Sequence, residues 1–167
     1  GLGSEYLKSL NEGDEVFWKG PAGVFVLHSL DRDKVFITTG TGIAPVRSMI
    51  ASAILESTDS NPSYTLFWGQ RTAEDAYFKD EFEAIAHKHS NFAYTICLSR
   101  ERELKKGEVC VKGRVNSYVT EYLRKRSDLL GRVEFYLCGS KSIVDSLKTF
   151  LEGLQVPTKN IYFEKFV

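Results

Sequence analysis

The stretch that decides the fold is Val35-Phe36-Ile37-Thr38-Thr39-Gly40-Thr41-Gly42-Ile43-Ala44-Pro45. Its first five residues are β-branched or aromatic with no solvent-facing alternation, the pattern of a strand buried on both faces. The run then meets glycine. Pro45 opens a helical stretch, where its missing N–H is no loss. Val46, Met49, Ile50 and Ala53 share one face of that helix, which is expected to end near residue 55. A buried strand passing through a glycine turn into a helix is the first half of a parallel β–α–β unit.

The pattern repeats downstream. Strands are predicted at 64–68, 92–98, 133–137 and 161–166. A helix is expected at 73–88 with Phe78, Phe82 and Ile85 inward, and another at 116–125 with Val119, Tyr122 and Leu123 inward. The last, 140–154, turns Ile143, Leu147, Phe150 and Leu151 inward and closes near Gly153 and Pro157. A polar loop is read at 56–63. A charged connection fills 101–113, with room for a small strand at 109–111. The alternation predicts an α/β, Rossmann-like fold: a five-stranded parallel sheet with helices on both faces.

Residues 1–30 differ in texture. Ser4 is placed to cap a short helix carrying Tyr6, Leu7 and Leu10 on one face. Turns are read at 11–14 and 20–23, with short strands at 15–19 and 24–27. Two short strands and a helix cannot form a core alone. The opening Gly1-Leu2-Gly3-Ser4 is neither basic nor followed by a signal-type apolar segment, and reads as the interior of a longer protein.

Composition narrows the function. A chain of 167 residues suits one well-buried domain. Its 22 basic and 22 acidic side chains cancel, so no global field points to nucleic acid. Cys97, Cys110 and Cys138 are odd in number, lack C-x-x-C spacing and have no matching histidines among His28, His87 and His89. No disulfide framework or metal site is expected, and a reducing, cytoplasmic setting follows. His87 and His89 end a helix, where positive charge is favourable. No apolar run approaches the ~20 residues of a membrane helix.

Ligands of open parallel sheets bind beyond the carboxyl ends of the strands. The residues there are Gly40-Thr41-Gly42-Ile43-Ala44-Pro45, Gly69-Gln70-Arg71, Ser99-Arg100-Glu101-Arg102 and Cys138-Gly139-Ser140. Two glycine turns, arginines and small hydroxyls converge on one edge, which describes an anion site with close backbone approach. The first turn is not a full G-x-G-x-x-G, because Pro45 stands at the third glycine, and it is not a P-loop, because no G-K-[ST] follows.

The hexapeptide 40–45 resembles the pyrophosphate-binding motif of the ferredoxin–NADP⁺ reductase family. Leu2-Gly3-Ser4 with Tyr6-Leu7, then Gly13-Asp14, then Gly20-Pro21-Ala22-Gly23, resembles the closing segment of that family's flavin domain. Gly69-Gln70-Arg71 with Asp75 and Glu81, Cys138-Gly139, and Glu164-x-Phe166 resemble its later motifs in the same order. Two departures stand out. The flavin-contacting R-x-Y-[ST] motif is absent, and Ile143 or Val144 replaces the methionine after C-G.

The resemblance implies that residues 1–30 are the remnant of a flavin-binding domain and 31–167 an NAD(P)-binding domain. It implies an oxidoreductase in which nicotinamide passes hydride to FAD held by the adjoining domain, for a protein acceptor such as ferredoxin or an iron–sulfur component. Gly40, Thr41, Gly42, Ile43 and Pro45 form the pyrophosphate turn. Gly139 lets the nicotinamide approach closely, with Cys138 near the hydride-carrying carbon, and Ser140 is a further cofactor-binding residue. As a residue type, Cys138 reads equally as a small filler at a strand end. Glu164 and Phe166 face flavin or nicotinamide, and Ser4 matches a flavin-phosphate position. Ser99 and Arg100 resemble the segment that holds the 2′-phosphate of NADP(H), with Arg71 and Arg114 as further contacts, so NADP(H) is expected ahead of NAD(H). Two alternatives remain: an NADH-dependent electron-transfer component of an oxygenase, and a non-catalytic nucleotide-binding regulatory domain.

Overall fold

The computed structural model describes residues 1–20, 22–56, 62–104, 109–126 and 130–166. Pro21 of the expected turn at 20–23, residues 57–61 of the expected polar loop, residues 105–108 of the charged connection, and Val167 lie outside the described residues.

The strands are β1 (Lys34–Thr39), β2 (Tyr64–Gln70), β3 (Phe92–Leu98), β4 (Cys110–Lys112), β5 (Glu134–Ser140) and β6 (Ile161–Phe166). They form one sheet in the order β4-β3-β2-β1-β5-β6, and every pairing is parallel. The doubly wound α/β fold is as expected. The sheet has six strands because the short segment inside the charged connection pairs with β3 through Ile96↔Cys110 to Leu98↔Lys112.

Helices α2 (Ile43–Glu56), α3 (Lys79–Lys88), α4 (Val115–Lys125) and α5 (Lys141–Gly153) cover the faces. A right-handed crossover places its helix on one face when the chain moves outward across the sheet and on the other when it returns. One core accordingly joins Phe36, Leu66, Trp68 and Tyr136 to α2 and α3 through Val46, Ile50 and Phe82. The other joins Val35, Ile37, Phe67 and Leu137 to α4 and α5 through Val119, Leu123, Leu147 and Leu151. Adjacent residues of β1 thus serve opposite cores, as period-two pleating requires.

Three local expectations give way. The helix predicted over 73–88 is split into a 3₁₀ turn, Ala73–Asp75, and α3. The Asp75 carboxylate accepts from the Thr72 amide and hydroxyl at 3.0 Å, and Ala76 leaves helical geometry at φ −91°, ψ 62°. Tyr77 and Phe78 then turn to pack on Trp68 and under Arg47. The short strands expected at 15–19 and 24–27 do not form, since neither has a partner strand within the described residues. Phe17 and Trp18 are left 89% and 84% exposed. Helix α1 (Leu2–Ser9) begins ahead of Ser4, with Gly1 in the cap position, so Ser4 lies in the first turn rather than capping it.

At the amino ends of the strands a buried polar network ties residues 28–34 to the sheet. Lys34 is 1% exposed. Its Nζ donates to the Arg32 carbonyl at 2.7 Å and lies 3.7 Å from Glu134 Oε2. Tyr136 Oη donates to Glu134 Oε2 at 3.1 Å and accepts from the His28 amide at 3.0 Å. Arg32 reaches the Gly131 and Arg132 carbonyls and Asn160 Oδ1. Burial pushes the Lys34 pKa down, and Glu134 opposes that shift. Glu134→Ala strands a buried ammonium. We expect a loss of ~3–5 kcal/mol in urea unfolding, the range for removing one partner of a buried ion pair.

Burial also holds the Cys97 and Cys138 thiols protonated: each pKa rises from an ordinary 9.0 to about 12. A raised folded-state pKa contributes stability that is complete below the unfolded pKa and lost as pH climbs toward the folded one. From these shifts, stability should fall as pH rises from 9.0 toward about 12. The urea midpoint measured across that window should fall less steeply in Cys97→Ala. An unchanged slope would show that the Cys97 thiol is not a group responsible.

Candidate functional site

The strand order reverses at β1, whose neighbours β2 and β5 lead away in opposite directions. The crevice beyond the carboxyl ends opens there. Three chain approaches build it. Gly42 packs so closely that a Cβ would lie 2.6 Å from both the Cys138 carbonyl oxygen and Thr38 Oγ1. Gly139 has φ +155°, and a Cβ there would run into the Thr39 hydroxyl. A Cβ on Gly69 would press Thr39 Cγ2 at 3.0 Å. Thr39 is thereby held between β2 and β5. Gly40 takes φ +55° with open space where a Cβ would point, and Trp68 Nε1 donates to its carbonyl at 3.2 Å. The 3₁₀ turn Gly40–Gly42 runs directly into α2, the Ile43 amide donating back to the Gly40 and Thr41 carbonyls, so that the positive end of the helix dipole falls at the turn.

The crevice measures ≈ 820 Å³. Its centre is Thr39, Gly40 and Thr41. One wing, from the ends of β2, β3 and β4, supplies Gln70, Arg71, Ser99, Arg100, Gly113 and Arg114. The other, from β5, α5 and β6, supplies Ser140, Ser142, Ile143 and Phe166. The first wing extends the sheet ladder: the Ser99 amide donates to the Gln70 carbonyl at 2.9 Å and the Arg100 amide to the Arg71 carbonyl at 2.8 Å. Ser99 Oγ also donates to the Gln70 carbonyl, at 3.1 Å.

The charge balance of this wing is uneven. Arg71, Arg100 and Arg114 are exposed, and their guanidinium groups make no hydrogen bond or ion pair among the described residues. The adjacent acids are engaged. Asp75 holds Thr72, and Glu101 accepts from the Ala73 amide at 2.9 Å and the Arg102 amide at 3.3 Å. Free cations beside committed carboxylates have the chemistry to receive a compact anion.

Of the residues expected from sequence, Gly40, Thr41, Arg71, Ser99, Arg100, Arg114, Ser140 and Phe166 meet in this crevice. Gly42, Ile43 and Gly139 are buried in its supporting structure. Pro45 borders a separate groove of ≈ 650 Å³ with Phe25 to Leu30. Cys138 is 1% exposed, and its side chain belongs to the core shared with α2 and α3. Glu164 pairs with it in register and is exposed. Ser4 sits on α1, away from the crevice lining. Thr39, Gly113, Asn116, Ser142 and Ser146 line the crevice without a place among the expected site residues. Ser142 and Ser146 stand four apart on α5, a spacing that places them on one helix face. Asn116 Nδ2 donates to Ser146 Oγ at 3.4 Å, joining α4 to α5.

Comparison with known proteins agrees with this geometry. Residues 36–149 match the model of the oxidoreductase NAD-binding domain. The chain is 31% identical to the toluate 1,2-dioxygenase electron transfer component of Pseudomonas putida, over 99% of this chain and 47% of that protein. It is 30% identical to ferredoxin–NADP reductase B of Sorangium cellulosum, over 99% of this chain and 68% of that protein. The ferredoxin–NADP⁺ reductase of Plasmodium falciparum superposes with a TM-score of 0.79 at 20% identity, covering 99% of this chain and 66% of that structure, which shows a shared fold. The chain spans less than half the length of several curated relatives, 40–47% of them. No described helix is long and apolar enough to cross a membrane. The matched domain and the crevice at the strand reversal coincide, and the chain belongs to the oxidoreductase NAD-binding domain family.

Proposed function

We propose that this chain binds NADP(H) and presents the nicotinamide to a flavin held by an adjoining domain, for electron transfer to a protein acceptor such as a ferredoxin or an iron–sulfur component. The observation that carries the reading is the joining of a glycine turn at the strand reversal to three arginines without partners among the described residues. The turn suits a pyrophosphate, because Gly40 leaves open space and the helix terminus behind it favours negative charge. The arginines suit a second, doubly charged group, the 2′-phosphate, through planar charge-assisted forks. The two carboxylates of this wing, Asp75 in the crevice lining and Glu101 outside it, already accept from Thr72 and Ala73, whereas an NAD-selective site commonly offers a carboxylate to the ribose diol.

The fit to flavin is partial. The sequence lacks R-x-Y-[ST], so these residues offer one wall of a flavin site. Glu164 and Phe166 are exposed at the end of β6, and Phe166 reaches the crevice. Exposed Phe17, Trp18 and Val24 fit a surface covered by the adjoining domain, which supports the division at residue 30. When bound, the nicotinamide supplies a hydride that flavin N5 accepts. The chain's own groups orient the dinucleotide and exclude water; none has to act as acid or base. Cys138 serves as packing beneath the site, its thiol kept protonated by burial and then by Glu164.

Calorimetric titration with NADP⁺ and NAD⁺ tests this reading. We expect tighter binding of NADP⁺, and Arg100→Ala should weaken it by about tenfold to a hundredfold while leaving NAD⁺ within about twofold. Equal binding of the two, insensitive to Arg100→Ala, would overturn the 2′-phosphate assignment in favour of an NADH-dependent component.

A further inference from the structure

Glu101 is the carboxylate nearest in sequence to Arg100, yet among the described residues it pairs with no arginine, and it does not line the crevice. Its Oε2 accepts from the Ala73 amide at 2.9 Å, across from the loop after β3 to the loop after β2. Ala73 opens the 3₁₀ turn Ala73–Asp75, and its amide is one of those a helical turn leaves without an internal acceptor. The preceding amide, Thr72, is taken by Asp75 at 3.0 Å, and Gln70 Nε2 donates to the Asp75 carbonyl at 3.0 Å. The last ladder bond between the two loops is Arg100 N–H to the Arg71 carbonyl. The Glu101–Ala73 bond lies just beyond it. Arg71 and Arg100 therefore leave backbones fixed relative to each other on both sides.

From this placement we infer that Glu101 is a positioning residue for cofactor choice: by bonding the Ala73 amide it locks the Arg71 and Arg100 loops together, so that both guanidinium groups serve one phosphate. The inference rests on the NADP(H) reading of the same wing. It also gives the carboxylate a second effect. A Glu101 released from Ala73 would be free to pair with Arg71 or Arg100 and to cancel the charge that a phosphate needs. The clamp and the removal of that competing charge act in the same direction. Glutamine keeps the carbonyl acceptor for Ala73 while dropping the charge, so it separates bonding from electrostatics.

The test uses the two adenosine fragments that differ only in the 2′-phosphate, 2′,5′-ADP and 5′-AMP, titrated into wild type, Glu101→Ala, Glu101→Gln, Arg100→Ala and the Arg100→Ala/Glu101→Ala double variant. Glu101→Ala should weaken 2′,5′-ADP by about fivefold to thirtyfold and leave 5′-AMP unchanged, and Glu101→Gln should restore it to within about twofold. The double variant should bind 2′,5′-ADP no more weakly than Arg100→Ala, because one residue acts through the other. Retained 5′-AMP affinity reports an intact fold, and faster hydrogen exchange of the Ala73 amide in Glu101→Ala reports the opened clamp. Wild-type preference for 2′,5′-ADP that survives in Glu101→Ala, or equal weakening of both fragments, overturns this inference alone. A wild type that binds both fragments alike overturns the NADP(H) reading and the inference with it.

Discussion

Close approach at the carboxyl end of β1 sets the geometry on which the rest depends. A central strand of a parallel sheet has neighbours on both sides, and here they diverge toward opposite wings. For the chain to leave β1, turn within three residues and start α2, it must pass the end of β5 nearly in contact. Gly42 against the Cys138 carbonyl, and Gly139 against Thr39, are the points of contact. A methyl group at either would push the turn outward and separate the amide end of α2 from the crevice. Close packing leaves no slack to absorb such a shift. The open space beside Gly40 is thus a by-product of packing the strands, with Trp68 donating to the carbonyl of the turn.

The two ends of the sheet handle charge in opposite ways. At the amino end, Lys34, Arg32 and Glu134 are drawn into one hydrogen-bonded network that includes Tyr136 and Asn160. Such a network, fully paired, resists rearrangement and pins residues 28–34 against the strands. In the arginine wing at the carboxyl end, Asp75 and Glu101 accept from backbone amides, and Arg71, Arg100 and Arg114 have no partner among the described residues. Net charge near zero conceals this separation. It is produced by which partner each carboxylate finds, so a sum over the sequence cannot reveal it.

How much was legible follows from the same distinction. Strand β3 is found at 92–98 as read, because a buried apolar run declares itself. The inward faces of α2 and α4 hold for the same reason, with Val46, Ile50, Val119 and Leu123 all buried. The α3 break was hidden: nothing in the pattern of apolar residues distinguishes Tyr77 packing on Trp68 from a continuing helix. The N-terminal strands were legible as strand-like sequence, but a strand exists only when a partner supplies its hydrogen bonds. Within the site, residues immediately after strands were found by position alone. Thr39 was read as the last residue of a strand, although the two glycines beside it make it part of the crevice. Ser142 and Ser146 come into view only when α4 and α5 are seen to meet over the opening.

The placement of the expected residues also separates two kinds of contribution. Those that meet the crevice, such as Arg71, Arg100 and Thr41, are exposed and lightly held, and can adapt to a ligand. Those that resemble motif positions yet lie inside, Ile43, Gly42, Gly139 and Cys138, form the surface against which the ligand side is built. Cys138 illustrates the point. Its chemistry as a nucleophile is suppressed by burial, while its carbonyl bounds the space that Gly42 must fit. A motif in this family of folds therefore mixes residues that touch a ligand with residues that fix the backbone doing the touching. The second group is constrained by volume and apolarity, and the first by the charge and fork geometry that it offers.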